Sequence, residues 1–396
     1  MMTSASASAE TRQAEPIPVI DQAAVTKDTP LEASDATPVS DVSAHRLRRG
    51  VIRLGGIVAV AVIIVTLAPG LGDLRERFAH AGPIWIAIGC ALEVLSVLAY
   101  VPAFRAVFCR RMAWSTSYKI AVAEEGAGSL FPLGGAGSLA LGVWALRRGG
   151  MPGAEIARKT VAFFLLTSLF PVGILLLLGL GLAVGVLPGG GPIALTALPA
   201  AVAAAAIIAT IALGRFARRA QIRIRQRNPG SRLARLAPAL IATADGVDEA
   251  LHQLRQLDPL LLLRLFGFLA FDIFAFWASF RAVGLSPALP VIAIGYLIGQ
   301  LGNWIPIPGG IAGTELGLIS VLILFGLPAV PVTAAVLLYR VIELWVPALL
   351  GLTAFVQLRL LLRRETEAIQ LCEPGDNIDI VALDPTTMQH TRQTAY

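Results

Sequence analysis

Seven ionisable residues stand inside long apolar stretches of this sequence: Glu93, Glu124, Glu125, Asp272, Glu315, Arg340 and Glu343. Charge in apolar surroundings is costly, so each is a functional candidate by default. Arg340 and Glu343 are three residues apart and share a helical face, where a purely structural ion pair is the plain alternative. As the only deeply placed cation, Arg340 is the natural seat for a lipid phosphate. Six acids against one arginine cannot all stay ionised in a low-dielectric interior. Some are expected to hold a proton, face a wet cavity or meet a cationic substrate. Glu93, Glu124, Glu125 and Asp272 are therefore the proton or gating candidates. For Glu93 and Asp272 the plain alternative is a protonated carboxyl bonded to a neighbouring helix.

The backbone offers a second kind of chemistry. Phe131-Pro132-Leu133-Gly134-Gly135 and Ile305-Pro306-Ile307-Pro308-Gly309-Gly310 interrupt two apolar regions, 117 to 147 and 290 to 326. After each glycine pair a new half-helix is expected, its unpaired N–H groups and positive dipole end facing inward as a site for phosphate or carboxylate. Gly134, Gly135, Gly309 and Gly310 join Glu315, Arg340 and Glu343 as the expected substrate-binding set. Helix packing or plain turns are the other use of such glycines. No strand precedes either pair, so dinucleotide binding has little support. The histidines, His45, His80, His252 and His390, are dispersed, and Cys90, Cys109 and Cys372 lie far apart and read as free thiols. No catalytic residue, metal site or cofactor is expected.

These groups must be positioned by a membrane bundle. The chain has 396 residues, 56% hydrophobic and 15% charged, where a soluble domain is about half apolar and about a quarter charged. The apolar excess lies in long runs, which excludes a disordered chain, a disulfide scaffold and a conventional nucleic-acid binder. Six runs, at 54–69, 82–104, 160–187, 192–214, 259–283 and 330–357, are each near the ~20 residues that cross about 30 Å of hydrocarbon. The halves of the two interrupted regions, about 15 residues or ~22 Å each, are too short to cross. Each region is one kinked span or a re-entrant hairpin. Hairpins gather the Lys and Arg excess on one side, including the eight arginines from Arg215 to Arg235, and leave Arg75, Arg77 and Arg281 on the other. The charge rule favours that arrangement and makes both termini cytoplasmic.

The interrupted regions also resemble each other. Beyond the proline and glycine breaks, Gly137 pairs with Gly313, Gly150-Met151-Pro152 with Gly326-Leu327-Pro328, and Pro171 with Pro347. The fold class expected is all-α: a polytopic bundle of about six full spans plus two re-entrant broken-helix hairpins in inverted repeats. Residues 1–45 are expected as a disordered cytoplasmic tail, and 46–364 as the transmembrane domain. Repeat one covers about 82–187, repeat two about 259–357, a basic cytoplasmic loop 215–258, and a polar cytoplasmic tail 365–396. The first apolar run starts too far in for a cleaved signal peptide and is expected to stay as an anchor.

At these motifs the chain resembles the transmembrane-region family of lysylphosphatidylglycerol synthases, also described as flippase-like membrane proteins. The resemblance covers roughly 50–362, strongest at Phe131 to Gly135 with Gly137, and from Pro306 through Glu315 to Arg340. It implies movement of a lipid between leaflets of the cell membrane. The synthase members carry a large soluble domain after the membrane part; here about 32 polar residues follow Arg364, too few for such a domain. A carrier rather than an enzyme is expected, acting on a membrane phospholipid or a polyprenyl-linked lipid. Anionic lipid heads are expected at the basic segment 215–235, and a second copy of the chain or a separate synthase is the protein partner to consider. Nucleic acid is not expected. Two other classes compete: a noncatalytic assembly partner using the tails and basic loop, and a lipid-modifying enzyme using the intramembrane acids.

Overall fold

Helix boundaries follow the apolar runs and the residues that end them. A computed structural model describes residues 72–130, 135–148, 150–189, 192–227, 237–255, 259–300 and 311–364, with Ile52, Gly55 and Gly56. Eleven helices lie in this set: α1 (Gly72–Ala79), α2 (Pro83–Phe108), α3 (Trp114–Leu130), α4 (Gly135–Arg148), α5 (Gly153–Ala183), α6 (Ile193–Arg227), α7 (Ala237–Arg255), α8 (Pro259–Ala282), α9 (Leu289–Gln300), α10 (Ile311–Leu324) and α11 (Ala329–Arg364). No strand occurs among the described residues. Pro83 and Pro259 open α2 and α8, where a missing N–H costs nothing. Gly150 and Gly326, at φ 83° and 89°, close α4 and α10. Both make the same cap: Met151 and Leu327 reach back to the carbonyls of Leu146 and Leu322.

Five helices are long and apolar enough to cross a membrane: Pro83–Phe108, Gly153–Ala183, Ile193–Ala220, Pro259–Ala282 and Ala329–Leu361. This is a multi-pass membrane protein. Five of the six expected spans coincide with these helices, and the sixth, at 54–69, lies outside the described residues except for Gly55 and Gly56. The remaining apolar helices are short. α3, α4, α9 and α10 have 17, 14, 12 and 14 residues, about 18 to 26 Å at 1.5 Å per residue.

The short helices form two antiparallel pairs. In the first, Gly128 packs beside Ser138 and Gly142 beside the Glu124 carboxyl. In the second, Gly295 packs against Leu322 and Gly299 against Leu318. The longest shared surface joins α2 to α8, also antiparallel. Gly82 N–H donates to Ala282 O at 2.8 Å at one end, and Ser96 Oγ donates to Phe268 O at 3.0 Å further along. α11 crosses α3 so closely that a Cβ at Gly126 would lie 2.5 Å from the Gly351 Cα.

Two apolar cores result. One joins the last turns of α2, α3, α4, the first half of α5 and the end of α11, from Val97 and Phe104 to Phe355. The other joins the end of α8, α9, α10 and the start of α11, from Phe276 and Phe280 to Tyr339.

Two expectations need correction, and a third gains detail. The segment 215–258 is helical over 215–227 and 237–255; arginine favours helix, and no proline or glycine intervenes before Pro229-Gly230. α5 begins at Gly153, not near 160. Its first turns tolerate charge because Lys159 is buried against Glu155, at 2.9 Å, and donates to the Phe108 carbonyl at 2.6 Å, a favourable place for a cation at a helix C-terminus. Cys109 is disulfide-bonded, leaving Cys90 as the free thiol among the described cysteines; spacing along the chain is blind to such a pairing.

Candidate functional site

Arg340 and Glu343 lie on α11 between Tyr339, the last residue it gives to one apolar core, and Leu344, which packs on the other. The charge therefore falls at the seam between the cores. Arg340 Nε donates to Glu315 Oε1 at 2.8 Å, and its Nη1 donates to Glu343 Oε2 at 2.5 Å. Glu315 is brought there by α10, which begins immediately after the Gly309-Gly310 break. All three side chains are largely enclosed, at 14, 12 and 20% exposure. Glu315 Oε2 is buried without a partner among the described residues, and Nη2 of Arg340 is not used by either bond. The plain alternative, an ion pair, is thus present, yet it is a three-member cluster with two acids on one guanidinium and bonding capacity left over.

A second polar group sits between α2, α8, α9 and α11. Tyr296 Oη, from α9, donates to Asp272 Oδ2, and Tyr339 Oη, from α11, donates to Asp272 Oδ1 at 2.6 Å. Gln300 Nε2 donates to Tyr296 Oη at 2.9 Å, extending the chain to the end of α9. The phenols are held by Phe276, whose ring centroid is 5.9 Å from that of Tyr296 and 4.8 Å from that of Tyr339. Glu93, 4% exposed on α2, lies across the α2–α8 surface from Asp272, in the antiparallel register that the Gly82–Ala282 and Ser96–Phe268 bonds set. Its Oε2 is without a partner among the described residues.

The acidic doublet on α3 divides. Glu124 is buried against Gly142 and leaves Oε2 unpartnered among the described residues. Glu125, the next residue, is only half-buried and bears electrostatically on both Glu124 and Glu93. Of the glycine candidates, Gly135 is the first residue of α4, while Gly134, Gly309 and Gly310 lie outside the described residues. Among the described residues, no three His, Cys, Asp or Glu side chains are placed to hold a metal ion.

Residue types alone pointed to the charges but missed their partners. Tyr296, Tyr339 and Gln300 complete the second polar group, and none was singled out. A signal existed: Tyr339 precedes Arg340, and a buried tyrosine needs a partner for its hydroxyl. The arrangement can hold an anionic oxygen on the arginine and pass a proton between carboxyls and phenols.

No curated protein matches this chain. Residues 53–351, which contain both charged groups and both broken regions, match the family described as the lysylphosphatidylglycerol synthase TM region, and the chain belongs to that family.

Proposed function

We propose that this protein carries lipids with a polar or charged headgroup between leaflets, the headgroup crossing through a midplane cavity while the acyl chains stay in the bilayer. A lipid-related role is what the family membership suggests. The observation that carries the finer reading is the Arg340, Glu315 and Glu343 cluster at the seam between the two cores. Burying such a cluster is a poor way to gain stability, because the desolvation cost rivals the attraction. A role in meeting a charged cargo accounts for it. Arg340 Nη2 would receive the phosphate, with the helix starts at Gly135 and after Gly309-Gly310 adding N–H donors.

The spacing of equivalent helix ends supports an inverted repeat, and with it the same reading. Pro83 and Pro259, Gly135 and Ile311, Gly150 and Gly326, and Gly153 and Ala329 each lie 176 residues apart and occupy equivalent helix ends. The corresponding helices α2 and α8 run antiparallel. The hairpins α3–α4 and α9–α10 would then be re-entrant, opening to opposite faces, the arrangement from which many carriers build a midplane site. Both termini would be cytoplasmic, with the arginines of α6 from Arg215 onward against anionic lipid heads of the cell membrane.

Purified protein in vesicles tests the proposal. Headgroup accessibility to a membrane-impermeant reagent should rise for at least one of three cargo classes: anionic phospholipid, aminoacylated phospholipid, or polyprenyl-linked lipid. Lipid masses should stay unchanged, since a carrier is proposed and not an enzyme. Arg340→Ala should abolish the effect, and Arg340→Lys should not restore it, because a point charge cannot serve two acids and a phosphate in one plane. Vesicles in which none of the three lipids moves faster than in protein-free controls would end this reading.

A further inference from the structure

We infer that the Glu93–Asp272 pair is a proton site whose occupancy is linked to lipid movement; this rests on the transport reading above. The assignment comes from counting acceptors. Each Asp272 oxygen already accepts a phenolic O–H, one from Tyr296 and one from Tyr339. Phenols at that depth act as donors, so Asp272 serves as the carboxylate of the group. Glu93 stands across the α2–α8 surface from that carboxylate as a buried carboxyl whose Oε2 is without a partner among the described residues, so the proton is assigned to Glu93.

Position makes this proton consequential. Glu93 and Asp272 lie near the middle of α2 and α8, the two antiparallel helices that share the longest surface. Every packed element adds a group that bears on them. α3 brings Glu125 and α11 brings Glu343, both acting electrostatically on the pair. α9 brings Tyr296 and Gln300, and α11 also brings Tyr339. The Arg340 charge is engaged by Glu315 and Glu343. α5 brings Lys159, whose charge is engaged at the Phe108 end of α2 by Glu155, and α8's own Arg281 stacks on Trp85 and Trp277 at the opposite end.

Among the described residues, no cation bears on the pair. When the Glu93 O–H bond breaks and the proton leaves to water, two carboxylates face each other with two more acids nearby. Their repulsion acts directly across the α2–α8 surface, on elements that belong to opposite halves of the bundle. Protonated, the pair leaves the halves packed together; deprotonated, it pushes them apart. A shared proton thus supplies the two-state element that alternating access requires.

Two measurements test this. Infrared spectra of the protein in lipid should show a protonated-carboxyl band that disappears in Glu93→Gln and persists in Glu125→Gln. Glutamine keeps the shape without the charge, so folding is retained. In vesicles, an imposed pH gradient should change the rate of lipid redistribution severalfold, a sodium gradient at constant pH should not, and Glu93→Gln should remove the pH response. Lipid movement indifferent to the pH gradient, driven by sodium, or accompanied by an unchanged carboxyl band in Glu93→Gln overturns the proton site while leaving transport standing. Absence of lipid movement for every cargo overturns the transport reading and the linkage with it.

Discussion

α5 and α11 start 176 residues apart, share an internal proline at Pro171 and Pro347, and follow the same glycine cap, yet they are used in opposite ways. On α11 the triplet Tyr339, Arg340 and Glu343 builds the polar seam. At the same offset α5 has Phe163, Phe164 and Thr167. Phe163 is buried among Tyr100, Phe104 and Phe108, and Phe164 is exposed on the outer face. Glu315 of α10 has Leu139 of α4 as its counterpart. The same offset thus carries a charged cluster on α11 and aromatic packing on α5, while α2 and α3 hold acids of their own at Glu93, Glu124 and Glu125. A charged cluster needs its counter-charges in place on several elements at once, whereas an apolar position needs only volume.

The largest expected effect comes from removing the cation. Arg340→Ala leaves Glu315 and Glu343 facing each other without a partner and should cost about 3 to 5 kcal/mol, read as lowered resistance to denaturation in lipid or detergent. Tolerance of that change would mean the two halves are equally indifferent to charge. Next is the converse substitution. Phe164→Arg puts an unpaired guanidinium on the outer face of a span, at a cost of about 2.5 to 3.5 kcal/mol near the helix centre. It should lower membrane-inserted yield; normal yield would show that the α5 position is a hidden second seat.

Smaller effects sharpen the contrast. Gly351 of α11 touches Gly126 of α3, while its counterpart on α5 is the buried Leu175. Gly351→Ala should therefore overpack the α3–α11 crossing by about 1 to 3 kcal/mol, measurable by denaturant titration. The smallest concerns the hairpins: Gly142 faces Glu124 in one, and Leu318 faces Gly299 in the other. Gly142→Ala gains helix propensity but meets the carboxyl at 3.0 Å, so a net loss within about 1 kcal/mol is expected. In a Glu124→Ala background the same change should turn stabilising by about 0.5 to 1 kcal/mol. Equal values in both backgrounds would deny the Glu124 contact.

Much of the bundle was legible in residue types. Runs of about 20 apolar residues leave a helix no alternative in lipid, where every backbone group must be satisfied internally. Short halves beside proline and glycine announced the four short helices, and the offset between Gly150 and Gly326 announced equivalent helix ends. The helicity of Arg215 to Arg227 was not legible, because charge is visible in sequence while the continuation of a helix into polar surroundings depends on propensity and on the packing of α7 against it. Lys159 was placed outside the span for the same reason, its partner Phe108 O being invisible in composition.

Sequence alone determined that this chain lives in a membrane as helices and that seven charges would have to be accommodated there, because hydrocarbon penalises both bare backbone and bare charge steeply enough to be read from composition. Which charges meet was decided only by tertiary structure. The pairing of Arg340 with Glu315, the division of Glu124 from Glu125, and the meeting of Glu93 with Asp272 under two tyrosines join residues up to 179 positions apart on four or more helices. Such contacts follow from how helices cross, and the crossing is set by small residues such as Gly126 and Gly351 whose role shows only when the opposing backbone is in place.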